Sequence, residues 1–195
     1  YACLQALESR GLHAIEVSTD PREGIDLGAL ESAIQRHKPK ACWVMTNFQN
    51  PLGGSMSADK KQALVELVTR HQLPLIEDDV YAELYFGDQR PVPAKTFDRE
   101  GWVMHCSSFS KVLAPGLHLG FLVAPKHIYP KLLQAKQAVD LHTPSFTQRM
   151  VAEVLKGGFL SRHVPTIRAL YKQQRDAMLA ALERDSVKHG TQGDA

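Results

Sequence analysis

The stretch Cys106-Ser-Ser-Phe-Ser-Lys-Val-Leu-Ala-Pro-Gly-Leu-His118 decides how the rest of the chain is read. It follows an apolar run, Trp102-Val-Met-His-Cys106, of the length expected for a buried strand. Two hydroxyls, Ser108 and Ser110, stand beside Lys111, and Pro115-Gly116 breaks the chain soon after. A lysine at the carboxyl end of a buried strand is expected to be partly desolvated, which frees its amine to attack carbonyls. Serines and backbone N–H groups just past a strand suit a phosphate. Taken alone, a solvated lysine in a serine-rich turn is the commoner situation, so distant parts of the chain have to agree.

Working outward, the elements alternate. Downstream, Leu119-Gly-Phe-Leu-Val-Ala124 reads as another strand, and helices are expected over 127–141, 144–156 and 165–184, with breaks at Thr143-Pro144 and Gly157-Gly158. The tail from Lys188, with Gly190, Gly193 and Asp194, is polar and expected to fray. Upstream, Leu73–Ile76 is a short buried strand that runs into Glu77-Asp78-Asp79, and Val80–Phe86 is amphipathic. Ala41-Cys-Trp-Val-Met-Thr46 is continuously apolar, as in a strand covered on both faces. Ser57 caps a helix over 58–71 with Leu64, Leu67 and Val68 as its apolar stripe, and Asp26 caps one running to about His37. Residues 2–10 read as a helix stopped by Gly11, and His13–Val17 as a short strand before the turn cluster Thr19–Gly24. The pattern predicts an α/β fold, a mostly parallel sheet with flanking helices.

In such sheets ligands gather at the carboxyl ends of the strands. Three motifs fall there: Asn50 in Asn50-Pro-Leu-Gly-Gly54, Asp78 to Tyr81, and Ser108 to Lys111. An amine, an acid and a phosphate cradle match what pyridoxal 5'-phosphate (PLP) asks of a protein. Lys111 would hold the cofactor as a Schiff base and carry protons as general base and acid. Asp78 would keep the pyridine nitrogen protonated. Asn50 and Tyr81 would donate to the phenolic oxygen. Each residue has a plainer reading, since Asp78 and Asp79 suit a turn or cap and Asn-Pro is a common turn dipeptide. Their convergence on three strand ends weighs against that reading.

Composition narrows the alternatives. The 195 residues are 44% hydrophobic and 23% charged with net charge +2, which points to neither a nucleic-acid nor a membrane surface. Cys3, Cys42 and Cys106 are odd in number, widely spaced and in apolar stretches, so they are expected to be buried thiols in a reducing cytoplasm. The nine histidines show no ligand spacing on one helix face, which argues against zinc. No run reaches spanning length and no signal-peptide pattern opens the chain. The start at Tyr1, inside an apparent helix and without an initiator Met, reads as an excised or processed piece.

Asn50-Pro-Leu-Gly, Glu77-Asp-Asp-Val-Tyr81 and Ser107-Ser-Phe-Ser-Lys111 followed by Pro115-Gly116-Leu117 resemble fold-type I PLP-dependent aminotransferases of class I/II. Gln49-Asn50-Pro51 and Ile76-Glu-Asp-Asp-Val-Tyr-Ala-Glu-Leu84 are especially similar to the aminotransferase-like domain of MocR regulators in the GntR family, which is fused to a helix-turn-helix DNA-binding domain. The resemblance implies that Lys111 is the Schiff-base lysine and Asp78 the pyridine partner. It implies that Asn50 and Tyr81 contact the phenolic oxygen, Val80 packs on the ring, and Ser108 and Ser110 hold the phosphate. Where the family usually carries an arginine on the phosphate this chain has His118, and a mostly neutral imidazole matches that arginine in neither charge nor geometry.

The resemblance further implies a homodimer, an amino acid or amino-compound ligand, and DNA contact only through a domain outside this chain. It places residues 1–160 in part of a PLP-binding large domain, and 161–195 in the interdomain helix and the start of a small C-terminal domain. The ring-stacking aromatic, the upstream phosphate loop and the substrate-carboxylate arginine would lie outside the chain. Three functions stay open: the effector-sensing part of a regulator, a free-standing aminotransferase acting on an amino acid and a 2-oxo acid, and a scaffold that has lost the cofactor.

Overall fold

A computed structural model describes residues 2–190, with side chains described for 3–184. The elements alternate as expected, and the described residues form two compact units. One comprises 2–82, 91–107 and 120–141, and the other 83–90, 108–119 and 142–190.

The first unit is built on a four-stranded sheet, in the order β3 (Cys42–Val44), β4 (Leu75–Asp78), β5 (Val103–Ser108), β6 (Gly120–Val123). β3 and β4 are parallel, with Cys42 opposite Leu75, and β4 and β5 are parallel, with Asp78 opposite Cys106. The carboxyl ends of these three strands therefore share one rim. Between β3 and β4 the chain crosses through α3 (Ala58–Arg70), the βαβ unit read from the sequence. Ser57 caps α3 by accepting the Lys60 N–H, and Asp26 caps α2 (Leu27–His37) by accepting the Ala29 N–H at 2.9 Å. Both caps are the residues the sequence pattern selects.

The core lies between α2, α3 and one face of the sheet. Leu30 and Ile34 of α2 and Leu64, Val65, Leu67 and Val68 of α3 pack against Cys42, Leu75 and Val103. Beside it, β1 (Thr19–Asp20) and β2 (Gly24–Ile25) form a short antiparallel ribbon. Gly54 passes so close to that ribbon's turn that a Cβ would lie 2.3 Å from the Pro21 carbonyl oxygen, so only glycine fits there. α1 (Ala2–Glu8) and α4 (Tyr129–Asp140) complete the unit.

In the second unit α5 (Ser145–Lys156) packs on α6 (Phe159–Gly190), and Val151 of the first and Val164 of the second are buried. Arg168 of α6 holds the segment after Tyr81. Its Nε donates to the Tyr85 carbonyl at 2.7 Å, and its guanidinium lies 3.4 Å over the Tyr85 ring.

Several expectations need correction. His13–Val17 forms no ladder among the described residues. Pairing begins two residues later, because the Asp20 carboxylate accepts the Arg22 and Glu23 N–H groups and closes the turn there. The last helix starts at Phe159, not 165, and carries Pro165 inside it. Gly158, at φ +61°, ends the preceding helix and turns the chain, and Phe159 then stacks on His163 at i+4. The helix also runs on to Gly190 instead of fraying from Lys188, while Gly193 and Asp194 lie outside the described residues. Cys42 is buried and Cys106 half-buried, both with thiols pushed up to about 11, but Cys3 is exposed. Among the described residues no helix is long and apolar enough to cross a membrane.

Two outcomes follow for stability. Leu64 is fully buried, so Leu64→Ala is expected to cost about 2–5 kcal/mol in urea unfolding. Glu77 is also fully buried. Burial alone would push its carboxyl up, but hydrogen bonds from His105, Thr46 and the Ala94 and Lys95 amides hold it below the usual range. A lowered folded value means that this contribution is fully present above the unfolded value of about 4.3 and is lost as pH falls through the folded one. Glu77→Gln is therefore expected to flatten the acid limb of the stability–pH curve below about pH 4.

Candidate functional site

Strand alternation sends three successive acids to different places at the rim. Leu75 and Glu77 face the α3 side, and Asp78, one residue on, faces the other. Glu77 is fully satisfied: its Oε1 accepts from Thr46 Oγ1 at 2.6 Å and Ala94 N at 2.5 Å, and its Oε2 from Lys95 N and His105 Nδ1 at 3.0 Å. Asp79 Oδ1 accepts from Asn47 Nδ2 at 2.9 Å. On the other face of the sheet, Asp78 Oδ1 is buried with no hydrogen-bond partner. Burial pushes the Asp78 carboxyl up, partly opposed by a hydrogen bond from the Val80 N–H. An uncompensated buried carboxylate oxygen is costly, and a protonated ring nitrogen would satisfy it in both charge and hydrogen bonding.

Asn50 lies in the turn after β3 and is exposed. The turn is held by the Gln49 side chain, whose Nε2 donates to the Asn50 carbonyl at 2.9 Å and whose Oε1 accepts the Leu52 N–H at 3.0 Å. It is also held by Phe48 N–H to Ser55 Oγ at 2.9 Å, and the Asn50–Pro51 peptide is cis. Tyr81 follows β4 by three residues, half-buried, ahead of a 3-10 turn at Ala82–Leu84. Asn50, Asp78 and Tyr81 thus all lie in the first unit, on the exits of two adjacent parallel strands.

β5 delivers the chain to Ser108, from which Phe109, Ser110 and Lys111 continue into the second unit's turn. Ser108 Oγ and Ser110 Oγ are 3.0 Å apart, the Ser110 N–H donates to Ser108 Oγ at 3.1 Å, and Phe109 N–H donates to the Leu119 carbonyl. Ser108 Oγ also lies 3.3 Å from the Leu119 carbonyl oxygen. The two hydroxyls are therefore held side by side, a pairing suited to anion oxygens. Lys111 lies in the turn, three residues beyond the strand end, and is exposed there, not partly desolvated as expected. His118 closes a 3-10 turn in the left-handed conformation (φ +46°), with its N–H on the Pro115 carbonyl and its side chain exposed.

The sequence reading passed over the polar residues behind the rim. Lys61, Thr46, Asn47, Glu77 and His105 are all buried. A signal was available: Lys61 shares the helix face of Leu64, Val65 and Val68 at i+3, i+4 and i+7, where a lysine has to be buried with a partner.

The family model for aminotransferase class I and II matches residues 2–194. The chain is 45% identical over 184 residues to the uncharacterized HTH-type transcriptional regulator YdcR of Escherichia coli, covering 94% of the chain and 39% of that protein. It is 40% identical to the 2-aminoadipate transaminase of Thermus thermophilus, covering 95% of the chain and 47% of the relative. Among solved structures it matches α-aminoadipate aminotransferase LysN from Thermus thermophilus, complexed with N-(5'-phosphopyridoxyl)-L-leucine. The TM-score is 0.87 and the identity 40%, over 93% of this chain and 47% of that one. The chain spans less than half the length of each of these three proteins. The family is PLP-dependent, and HTH-type regulators stand beside aminotransferases among the relatives. With its strand-end motifs and these matches, the chain belongs to the aminotransferase class I and II family, as an aminotransferase-like domain.

Proposed function

We propose that this domain binds PLP and senses an amino compound for an attached DNA-binding domain, in a cytoplasmic homodimeric regulator of the MocR type. The buried, unpartnered Asp78 oxygen carries the cofactor part of this reading, because the residues present fit the group that would satisfy it. The 45% identity to an HTH-type regulator supports the regulatory part. In this reading 1–160 belong to the large cofactor domain, and the change to the small domain falls near Ser161.

When bound, PLP supplies a ring that accepts the electron pair released at the Cα of an amino acid. The chain's own residues do the rest. Asp78 holds a proton at the pyridine nitrogen, while Asn50 and Tyr81 donate to the phenolic oxygen. Ser108 and Ser110 hold the phosphate. Lys111, in reach of solvent, would hold the cofactor through its amine and would move a proton at the substrate Cα.

A second reading is a free-standing aminotransferase converting an amino acid and a 2-oxo acid, supported by the 40% identity to a transaminase. Turnover of amino donor and 2-oxo acid separates the two readings. The regulator is expected to change its DNA affinity when cofactor and amino compound are added, and the enzyme to release product instead.

Full-length protein incubated with PLP is expected to show a visible absorption band that Lys111→Ala abolishes. A colourless wild type with added cofactor contradicts the reading. His118→Arg places a permanent charge where an imidazole stands, and one charge-assisted hydrogen bond of about 1.5–3 kcal/mol corresponds to roughly tenfold or more in affinity. Titration of the apo form is expected to show that tightening. An unchanged dissociation constant would mean that the phosphate is held elsewhere.

A further inference from the structure

Behind the rim, on the sheet face covered by α3, one lysine ties the strand exits together. Lys61 is 1% exposed, and its Nζ donates to Asn47 Oδ1 at 2.5 Å and to the Val92 carbonyl at 2.9 Å. Asn47 Nδ2 in turn donates to Asp79 Oδ1 at 2.9 Å. Asp79 carries the tie onward: its N–H donates to the Cys106 carbonyl at 2.9 Å, and its carbonyl accepts from Ser107 Oγ at 3.1 Å. Asn47 stands three residues before Asn50, Asp79 stands between Asp78 and Tyr81, and Ser107 directly precedes Ser108. Each strand exit that bears a proposed cofactor group is thus fastened one to three residues away from that group.

We propose that Lys61 is a positioning residue for the cofactor: through Asn47 and Asp79 it locks the exits of β3, β4 and β5, which carry Asn50, Asp78 with Tyr81, and Ser108. The inference rests on the PLP reading given above. Lys61 itself lies behind the sheet, on the face opposite Asp78. The groups facing it are the Asn47 amide, the Val92 carbonyl, and the Asp79 and Glu77 carboxylates. Glu77 is already satisfied by Thr46, His105 and the Ala94 and Lys95 amides. Asp79 is the acid linked to Lys61 through Asn47. The Lys95 ammonium is engaged with Asp98 and the Val103 carbonyl, so it does not substitute.

The test is made on full-length protein. Lys61→Met keeps an unbranched side chain one atom shorter and removes the charge, but it takes a cation away from the buried Asp79 and Glu77 carboxylates and is expected to destabilise the fold. Lys61→Met with Asp79→Asn removes both charges and keeps an amide on Asn47, so it is the variant expected to fold. In it, the PLP dissociation constant of the apo form is expected to rise about tenfold, the scale of support-residue losses at other cofactor and metal sites. The pH midpoint of the visible band is expected to move up by roughly one unit, because a phenolic oxygen that loses donors holds a shared proton more tightly. Combining the pair with Asn50→Ala is expected to give less than the sum of the separate losses, since both act on the same contact. A residue that merely stabilised the fold would shift the thermal transition and leave the midpoint and the coupling unmoved. A doubly substituted protein that binds PLP with wild-type affinity and the wild-type midpoint overturns the inference. A wild type that takes up no PLP overturns the reading beneath it, and is recognised before any substitution is made.

Discussion

Three consecutive carboxylates, Glu77, Asp78 and Asp79, cross the rim of a parallel sheet, and their burial governs what surrounds them. An ionised carboxylate inside a protein needs hydrogen bonds or a cation, or it takes up a proton. Strand alternation splits the three between the two faces of the sheet. Behind it, Glu77 collects two side-chain donors and two backbone amides, and Asp79 is reached by Lys61 through Asn47. On the other face Asp78 keeps one oxygen without a partner. Two of the three neighbouring acids thus lie behind the sheet among its core polar groups, and Asp78 alone faces the side where a ligand is proposed.

That asymmetry links sequence to chemistry. The apolar β4 forces Glu77 into the same layer as Leu75, so it is recruited to the helix-covered core. The core compensates with the 3-10 turn at Ala94–Phe97, whose first amides it uses, and with His105 on the neighbouring strand in register with Glu77. The parallel pairing of β3, β4 and β5 then puts their carboxyl ends on one rim. Asn50 and Tyr81 lie on loops leaving that rim, and Asp78 and Ser108 are the last residues of β4 and β5.

Much of this could be read from the residues. Asp26 and Ser57 announced their helices because each stands one residue before an apolar 3.6-residue pattern, and both cap as expected. The βαβ crossover followed from two short apolar runs flanking α3. Other features depend on partners that a local pattern does not reveal. His13–Val17 has strand composition but no neighbouring strand among the described residues, and Pro165 is carried inside a helix that Gly158 and Phe159 start earlier. Asn50, Asp78, Tyr81, Ser108, Ser110 and Lys111 are legible from chemistry and spacing, and His118 only from the family resemblance. Lys61 carries a charge that suits a solvated face, and only its spacing with Leu64, Val65 and Val68 places it inside.

The central claim is that the unpartnered Asp78 oxygen exists to keep a pyridine nitrogen protonated. Nitrogen-15 NMR of full-length protein loaded with PLP labelled at the ring nitrogen tests this most directly. The ring nitrogen is predicted to resonate in the protonated range in the wild type and to move to the unprotonated range in Asp78→Ala. A ring nitrogen that is unprotonated in the wild type, or one whose shift ignores the substitution, would contradict the account.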